Sequence, residues 1–222
     1  MVYITRDMSL KAVKGMQKFH DELNSVFEKF NMDFKTDLGR RNIVLSHAQE
    51  KMFTEALSEK YGKNVISDGR TGQPDIVIMR NQDEVEAEIE CKLTTRHRSG
   101  AISFQSDYET LLKKGKLDYL YVVASKDFNK FGVYYFQGLT VDDFRPLSTG
   151  ARGKVSMFKH KGFKKCTPLL GGYESINQKN IKKLHAALES KDLAPYKRKK
   201  AEKSLSYWVN TPEKFSIVLE GV

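Results

Sequence analysis

The sequence predicts an α/β fold, a mixed β-sheet flanked by helices with a basic elaboration toward the C-terminus. Three observations carry this. Residues 8–31 repeat apolar side chains at helical spacing: Leu10, Val13, Met16, Phe19, Leu23, Val26, Phe27 and Phe30. Residues 84–93 alternate apolar and charged with period two, as a half-buried strand requires. "LDYLYVVAS" and "FGVYYFQ" are short aromatic and β-branched runs, the composition of buried strands. Helix, strands, helix and strands in that order build a sheet with helices packed against it.

The elements follow in order. After the first helix, "SHAQEKMFTEALSEKYG" reads as a second, with Ser46 and Gln49 in capping-box spacing and Gly62 as the stop. Glu50, Phe53 and Leu57 share one side of it, so Glu50 points toward whatever those two residues pack against. "NVIS" is a short strand, "DGRTGQP" a loop, and Asp75 to Met79 an apolar strand starting directly after Pro74. "RNQDE" is a polar turn that makes the next strand, 84–93, an antiparallel hairpin partner. A basic loop, "TTRHRSGA", leads to a helix with Phe104, Tyr108, Leu111 and Leu112 on one face, ended near Gly115. The two strong strands follow. Residues 145–175 are irregular and lysine-rich. A helix resumes around Ile176, Ile181, Leu184 and Leu188, with Ser175 and Gln178 again in capping-box spacing. "APYKRKKAEKS" is a basic run, and "SYWV" and "FSIVLE" have the composition of edge strands.

Charge narrows the function. Lys and Arg exceed Asp and Glu by ten in 222 residues, which favours a polyanionic partner, nucleic acid before an anionic membrane. No run approaches the roughly 18 apolar residues of a membrane span. The N-terminal stretch lacks the apolar core of a secretory signal. Cys91 and Cys166 make no disulfide framework, and Cys91 reads as a small buried residue. A cytoplasmic protein is the expectation. The five histidines show no ligand spacing with either cysteine, so no zinc site is indicated.

The chemistry lies in "GQPDIVIMRNQDEVEAEIECKLT", residues 72–94. One strand face carries Glu86, Glu88, Glu90 and Lys92. If the turn near 81–83 joins antiparallel neighbours, Asp75 faces about Glu90, with Lys92 one pleat farther on. Two carboxylates brought together raise one another's pKa unless a cation holds them. Hard oxygen ligands of this kind suit Mg²⁺, with Mn²⁺ as a substitute. Such an ion stabilises charge building on phosphorus and acidifies a bound water, which Lys92 can hold for attack. Metal-assisted phosphodiester hydrolysis fits. The competing reading of Glu90 and Lys92 is a surface ion pair worth under about 1 kcal/mol. For Glu50 it is a carboxylate complementing a helix N-terminus. Of the remaining acids, Glu88 lies one pleat from Glu90 and is the nearer to any metal.

Pro74-Asp75, a gap of fourteen residues, then Glu90-Cys91-Lys92 resembles the motif of the PD-(D/E)XK nuclease superfamily, flanks included. The resemblance spans roughly residues 46–137 and implies a restriction-endonuclease-like core. It implies that Asp75 and Glu90 bind the divalent metal and that Lys92 assists the nucleophilic water. Glu50 is similar in placement to the further acid that members often carry on a preceding helix. Gln105 is similar to a polar residue on the helix after the lysine strand. On this reading the chain is a single nuclease domain over 1–222, with its catalytic core at about 46–137 and DNA-recognition and accessory elements in 145–222.

Around this core, Arg96 and Arg98 follow the lysine strand, where they can hold the substrate backbone. "GARGKVSMFKHKGFKK" sets Phe158 and Phe163 among Arg152, Lys154, Lys159, Lys161, Lys164 and Lys165, a mixture suited to phosphate and base contacts. Lys197 to Lys200 are either another backbone clamp or a solvated turn. The expectation is a Mg²⁺-dependent endonuclease on double-stranded DNA, of the type II restriction kind. It would read a short palindromic site as a homodimer, with the first helix a candidate interface. A structure-specific resolvase or phage recombination or repair nuclease of the same superfamily is the alternative. A non-catalytic DNA-binding protein is the alternative from a different class.

Overall fold

A computed structural model describes residues 2–34, 36–67, 73–96, 102–148, 153–190 and 192–222. The chain divides into two compact units, residues 1–172 together with 219–222, and residues 173–218.

In the larger unit, α1 (Arg6–Lys29) starts at Thr5, whose hydroxyl accepts from the Met8 amide. It buries Ala12, Val13, Met16 and His20; of the predicted stripe Val13 and Met16 are buried, Leu10, Leu23 and Phe27 partly so, and Phe19, Val26 and Phe30 are exposed. The second helix, α2 (Leu38–Tyr61), begins at Asp37, whose carboxylate accepts from the Arg40 amide at 3.0 Å. This corrects the start predicted at Ser46. Residues 38–45 contain no helix breaker beyond Gly39 and bury Arg41 and Leu45, so tertiary packing carries the helix two turns farther back. Ser46 instead returns its hydroxyl to the Ile43 carbonyl, and Gln49 is wholly buried. The Gly62 stop, with φ near +60°, is as predicted.

Strands β1 (Val65–Ser67), β2 (Ile76–Met79), β3 (Val85–Thr95), β5 (Leu117–Ala124) and β6 (Lys130–Leu139) lie in that order in a mixed sheet. β11 (Glu220–Gly221) and β8 (Cys166–Leu170) both pair with β6. β3 and β5 run parallel, while β2 and β3 form the predicted antiparallel hairpin. Its turn is set by Asn81, whose Oδ1 accepts from the amides of Asp83 and Glu84. Ile76 stands opposite Ile89, Val77 opposite Glu88 and Ile78 opposite Ala87, as predicted.

One sheet face buries Ile76, Ile78, Ile89, Cys91, Leu120 and Val122 in a core shared with α1 and α2. The opposite face buries an aromatic cluster of Phe104, Tyr121, Phe136 and Phe163, with ring centroids 5.0–5.6 Å apart. That cluster explains a second correction. Phe104 does not open a helix. Residues Gln105–Asp107 form a short strand, β4, paired with β7 (Lys154–Ser156). The helix α3 (Tyr108–Lys114) starts only at the Asp107 cap. Burying Phe104 among rings outweighs helical spacing there, and Leu112 is left exposed. Lysine-rich residues 159–165 form a short helix, α4 (Lys159–Gly162), and a 3-10 turn.

In the smaller unit, β9 (Gly172–Ser175) pairs with β10 (Phe215–Val218), and α5 (Ile176–Glu189) and α6 (Pro195–Asn210) pack as a hairpin. Ser175 caps α5 through the Gln178 amide at 3.0 Å, as predicted. "SYWV" closes α6 and is not an edge strand. "FSIVLE" does supply strands, β10 and β11. The buried Asn177 ties the hairpin, donating to the carbonyls of Trp208 and Thr211 and accepting from the Lys214 amide.

Candidate active site

Pro74 ends the approach to β2 and leaves Asp75 one residue before its first ladder pair. β3 then carries Glu90 and Lys92 on the face away from the α1/α2 core, because Ile89 and Cys91 are drawn into that core. The hairpin register sets Asp75 beside this segment. Its carboxylate accepts from the Cys91 amide, the residue between Glu90 and Lys92, at 2.6 Å. The Lys92 ammonium donates to Glu90 Oε1. The other oxygen, Glu90 Oε2, is buried with no hydrogen-bond partner.

Glu50 reaches the same locus from α2. It is about one-fifth exposed, with His47 Nδ1 at 3.8 Å. Burial raises its carboxyl above the usual range; His47 and Lys92 pull it down and Glu90 pushes it up. Asp75 is raised to about 7, first by burial and then by the Glu90 carboxylate, against the Cys91 amide and Lys92. Burial alone would lower Lys92. The Glu90 carboxylate and Asp75 outweigh it and leave the ammonium above the ordinary lysine value. Lys92 is thus paired with Glu90 and feels the Asp75 and Glu50 carboxyl groups electrostatically. The surface ion-pair reading of Glu90 and Lys92 does not describe this: the Glu90 side chain is 13 % exposed.

A divalent cation fits this donor set on two grounds. One buried carboxylate oxygen has no partner, and the Asp75 carboxyl is raised to about 7 by its burial and by the neighbouring Glu90 carboxylate. Asp75 and Glu90 would hold such an ion, with Glu50 nearby. Among the described residues no group of three His, Cys, Asp or Glu side chains is close enough by itself to hold a metal.

Sequence reasoning missed two elements of the site. Gln49 donates to the Leu120 carbonyl at 3.0 Å and to the Lys92 carbonyl at 3.5 Å, fastening α2 to β5 and β3 next to Glu50. Its signal was a polar residue on the buried stripe of Leu45, Phe53 and Ala56. Glu88 is paired with Lys114 at 2.6 Å, a partner that only the placement of α3 supplies.

The residues proposed for DNA contact scatter more. Arg98 and Arg152 lie outside the described residues, as do all five residues of "DGRTG". Arg96 is half-buried, with its amide donating to Ala124. Gln105 is exposed, on β4 and not on a helix, so its match to a residue on the helix after the lysine strand fails. Lys154 and Lys164 are exposed. Lys159 is half-buried over the Phe104 ring, and burial lowers its pKa. Lys161 donates to the Asp142 carbonyl at 2.8 Å, and Lys165 pairs with Asp143 at 2.7 Å. Phe163, buried in the aromatic cluster, is not available to a base. Lys159, Lys161, Lys165 and Phe163 thus make contacts within the fold, where the chain turns back over the second sheet face.

Comparison with protein-family models, curated proteins and solved structures finds no match to this chain. Among the described residues no helix is long and apolar enough to cross a membrane.

Proposed function

We propose that the chain is a Mg²⁺-dependent DNA endonuclease with a restriction-endonuclease-like core. The observation that carries this is the convergence of Asp75, Glu90 and Lys92 at one point of the β2–β3 hairpin, with Glu50 reaching it from α2. Buried carboxylates in excess of cations are costly in a fold that uses them for nothing, and this excess faces away from the α1/α2 core. Mg²⁺, with Mn²⁺ able to substitute, would supply a Lewis acid for the phosphate and a water acidified for attack. Lys92, held protonated by Glu90, is suited to orienting that water and stabilising negative charge on the phosphate. Its raised pKa argues against a role as the proton acceptor. Asp75 and Glu90 hold and orient the ion, and Gln49 fixes the helix that brings Glu50.

The net charge of +10 supports a nucleic-acid substrate. Within the superfamily we favour a type II restriction-type enzyme acting as a homodimer on duplex DNA. Phe19, Val26 and Phe30, exposed along one stripe of α1, support the first helix as the seat of the second copy. Incubation with linear duplex, branched and single-stranded DNA tests the reading. Discrete fragments from duplex alone are expected, preferential cutting at the branch would favour a structure-specific nuclease, and binding without cleavage would overturn the catalytic reading.

A further inference from the structure

The smaller unit carries a feature that the hairpin site does not use. Residues 173–218 hold ten Lys and Arg against five Asp and Glu. Five of the ten lie on α6, whose single acid is Glu202. On this helix Arg198, Ala201, Leu205 and Trp208 recur at three- and four-residue spacing and are half-buried. Arg198 is held there by the carbonyls of Leu188 and Ser190 at 3.0 and 3.2 Å. These residues form the inward stripe.

The outward stripe is Tyr196, Lys200, Lys203 and Tyr207, again at spacings of four, three and four, and all four are exposed. Tyr196 is 70 % exposed and Tyr207 54 %. Each ring has a further cation beside it: the Lys197 ammonium lies 5.9 Å from the Tyr196 centroid, and Lys214 lies 5.8 Å from that of Tyr207. A solvated lysine face has no need of two bare aromatic rings, and cations beside both rings suit a polyanion. Eleven residues of helix separate the tyrosines by about 16 Å. Along the axis of a duplex that is about five base-pair steps, at roughly 3.4 Å each. The rings can lie against deoxyribose with their hydroxyls donating to phosphate, while the lysines pair with phosphates between them. The next residue of the stripe, Asn210, donates its amide to the Ser206 carbonyl at 2.8 Å, and Tyr196, Lys200, Lys203 and Tyr207 are suited to sugar and phosphate, so the contact is independent of sequence.

We infer that the outer stripe of α6, Tyr196–Lys200–Lys203–Tyr207, is a binding site for the phosphate backbone of duplex DNA, distinct from the hairpin site. The choice of DNA as the polyanion rests on the nuclease reading; the stripe itself does not.

The test uses the full chain in EDTA, so that cleavage is off, with a fluorescent duplex titrated at several salt concentrations. The variants are Lys200→Glu/Lys203→Glu, Tyr196→Ala/Tyr207→Ala, and a control on exposed lysines of α5, Lys182→Glu/Lys183→Glu. The substituted side chains are all solvent-exposed, and circular dichroism verifies the fold. The α6 charge reversal is expected to weaken binding by about tenfold or more and to lower the log–log salt slope by about 2. The tyrosine pair should weaken binding with the slope unchanged, and the α5 control should lose distinctly less. Equal losses in α5 and α6, or none in either, overturn the proposal, as does wild-type protein that fails to bind duplex. So does a loss seen only on phosphatidylserine vesicles. Failure of the nuclease reading looks different: no cleavage with Mg²⁺, but stripe-dependent binding intact.

Discussion

Replacing Asp75 by Asn should make the protein more stable and less active, and the gain should depend on pH. Asp75 is raised from 3.8 to about 7 by its burial and by Glu90. Between those values the folded protein keeps a proton that the unfolded chain has released. Stability contributed at this position therefore falls as pH rises from about 4 to about 7 and is level above. Some three pH units at about 1.4 kcal/mol each put the cost of the ionised group near 4 kcal/mol at pH 8. The amide in Asp75→Asn removes that charge, keeps an oxygen for the Cys91 amide and offers a donor toward Glu90. Urea unfolding in EDTA at pH 4, 6 and 8 measures it. The variant should exceed wild type by up to about 4 kcal/mol at pH 8 and match it at pH 4. Adding Mg²⁺ at pH 8 should then stabilise wild type, by about 2.7 kcal/mol at a hundredfold excess over Kd, and leave the variant unmoved. A variant less stable than wild type at pH 8, or an equal gain at pH 4, would refute the electrostatic reading of the site.

Further outcomes follow from the same contacts. Gln49→Leu strips the Leu120 carbonyl of its partner at the α2–β5 junction; a loss of about 1–3 kcal/mol in urea is expected, with kcat falling more than KM because Glu50 shifts. Arg41→Met should cost about 3 kcal/mol by thermal or urea unfolding, since the wholly buried guanidinium donates to Thr95 and to the carbonyls of Ser125 and Lys126 that close the β5–β6 turn. Phe30→Glu should shift sedimentation from dimer to monomer with the fold intact.

Much of the fold and the site is legible in residue order. The hairpin register follows from a short polar turn and a strict period of two, both local signals, and these alone set Asp75 beside the Glu90 segment. Glu50 is legible because Phe53 and Leu57 mark the buried side of its helix. The failures share a cause in contacts distant along the chain. The true start of α2 depends on Arg41 reaching residues 125 and 126. Phe104 leaves its helical pattern for rings 17 to 59 residues away. Nothing in their own segment shows that Lys161 and Lys165, exposed as expected, also reach Asp142 and Asp143. "SYWV" has strand composition, but the start at Pro195 and the half-buried Leu205–Trp208 stripe continue a helix through it.

The most direct test of the central claim is incubation of supercoiled plasmid with Mg²⁺, beside EDTA and the Lys92→Ala protein. The account predicts discrete linear fragments that require the metal and disappear in the variant. Intact plasmid with wild-type protein and Mg²⁺, under conditions where the DNA is bound, would contradict it.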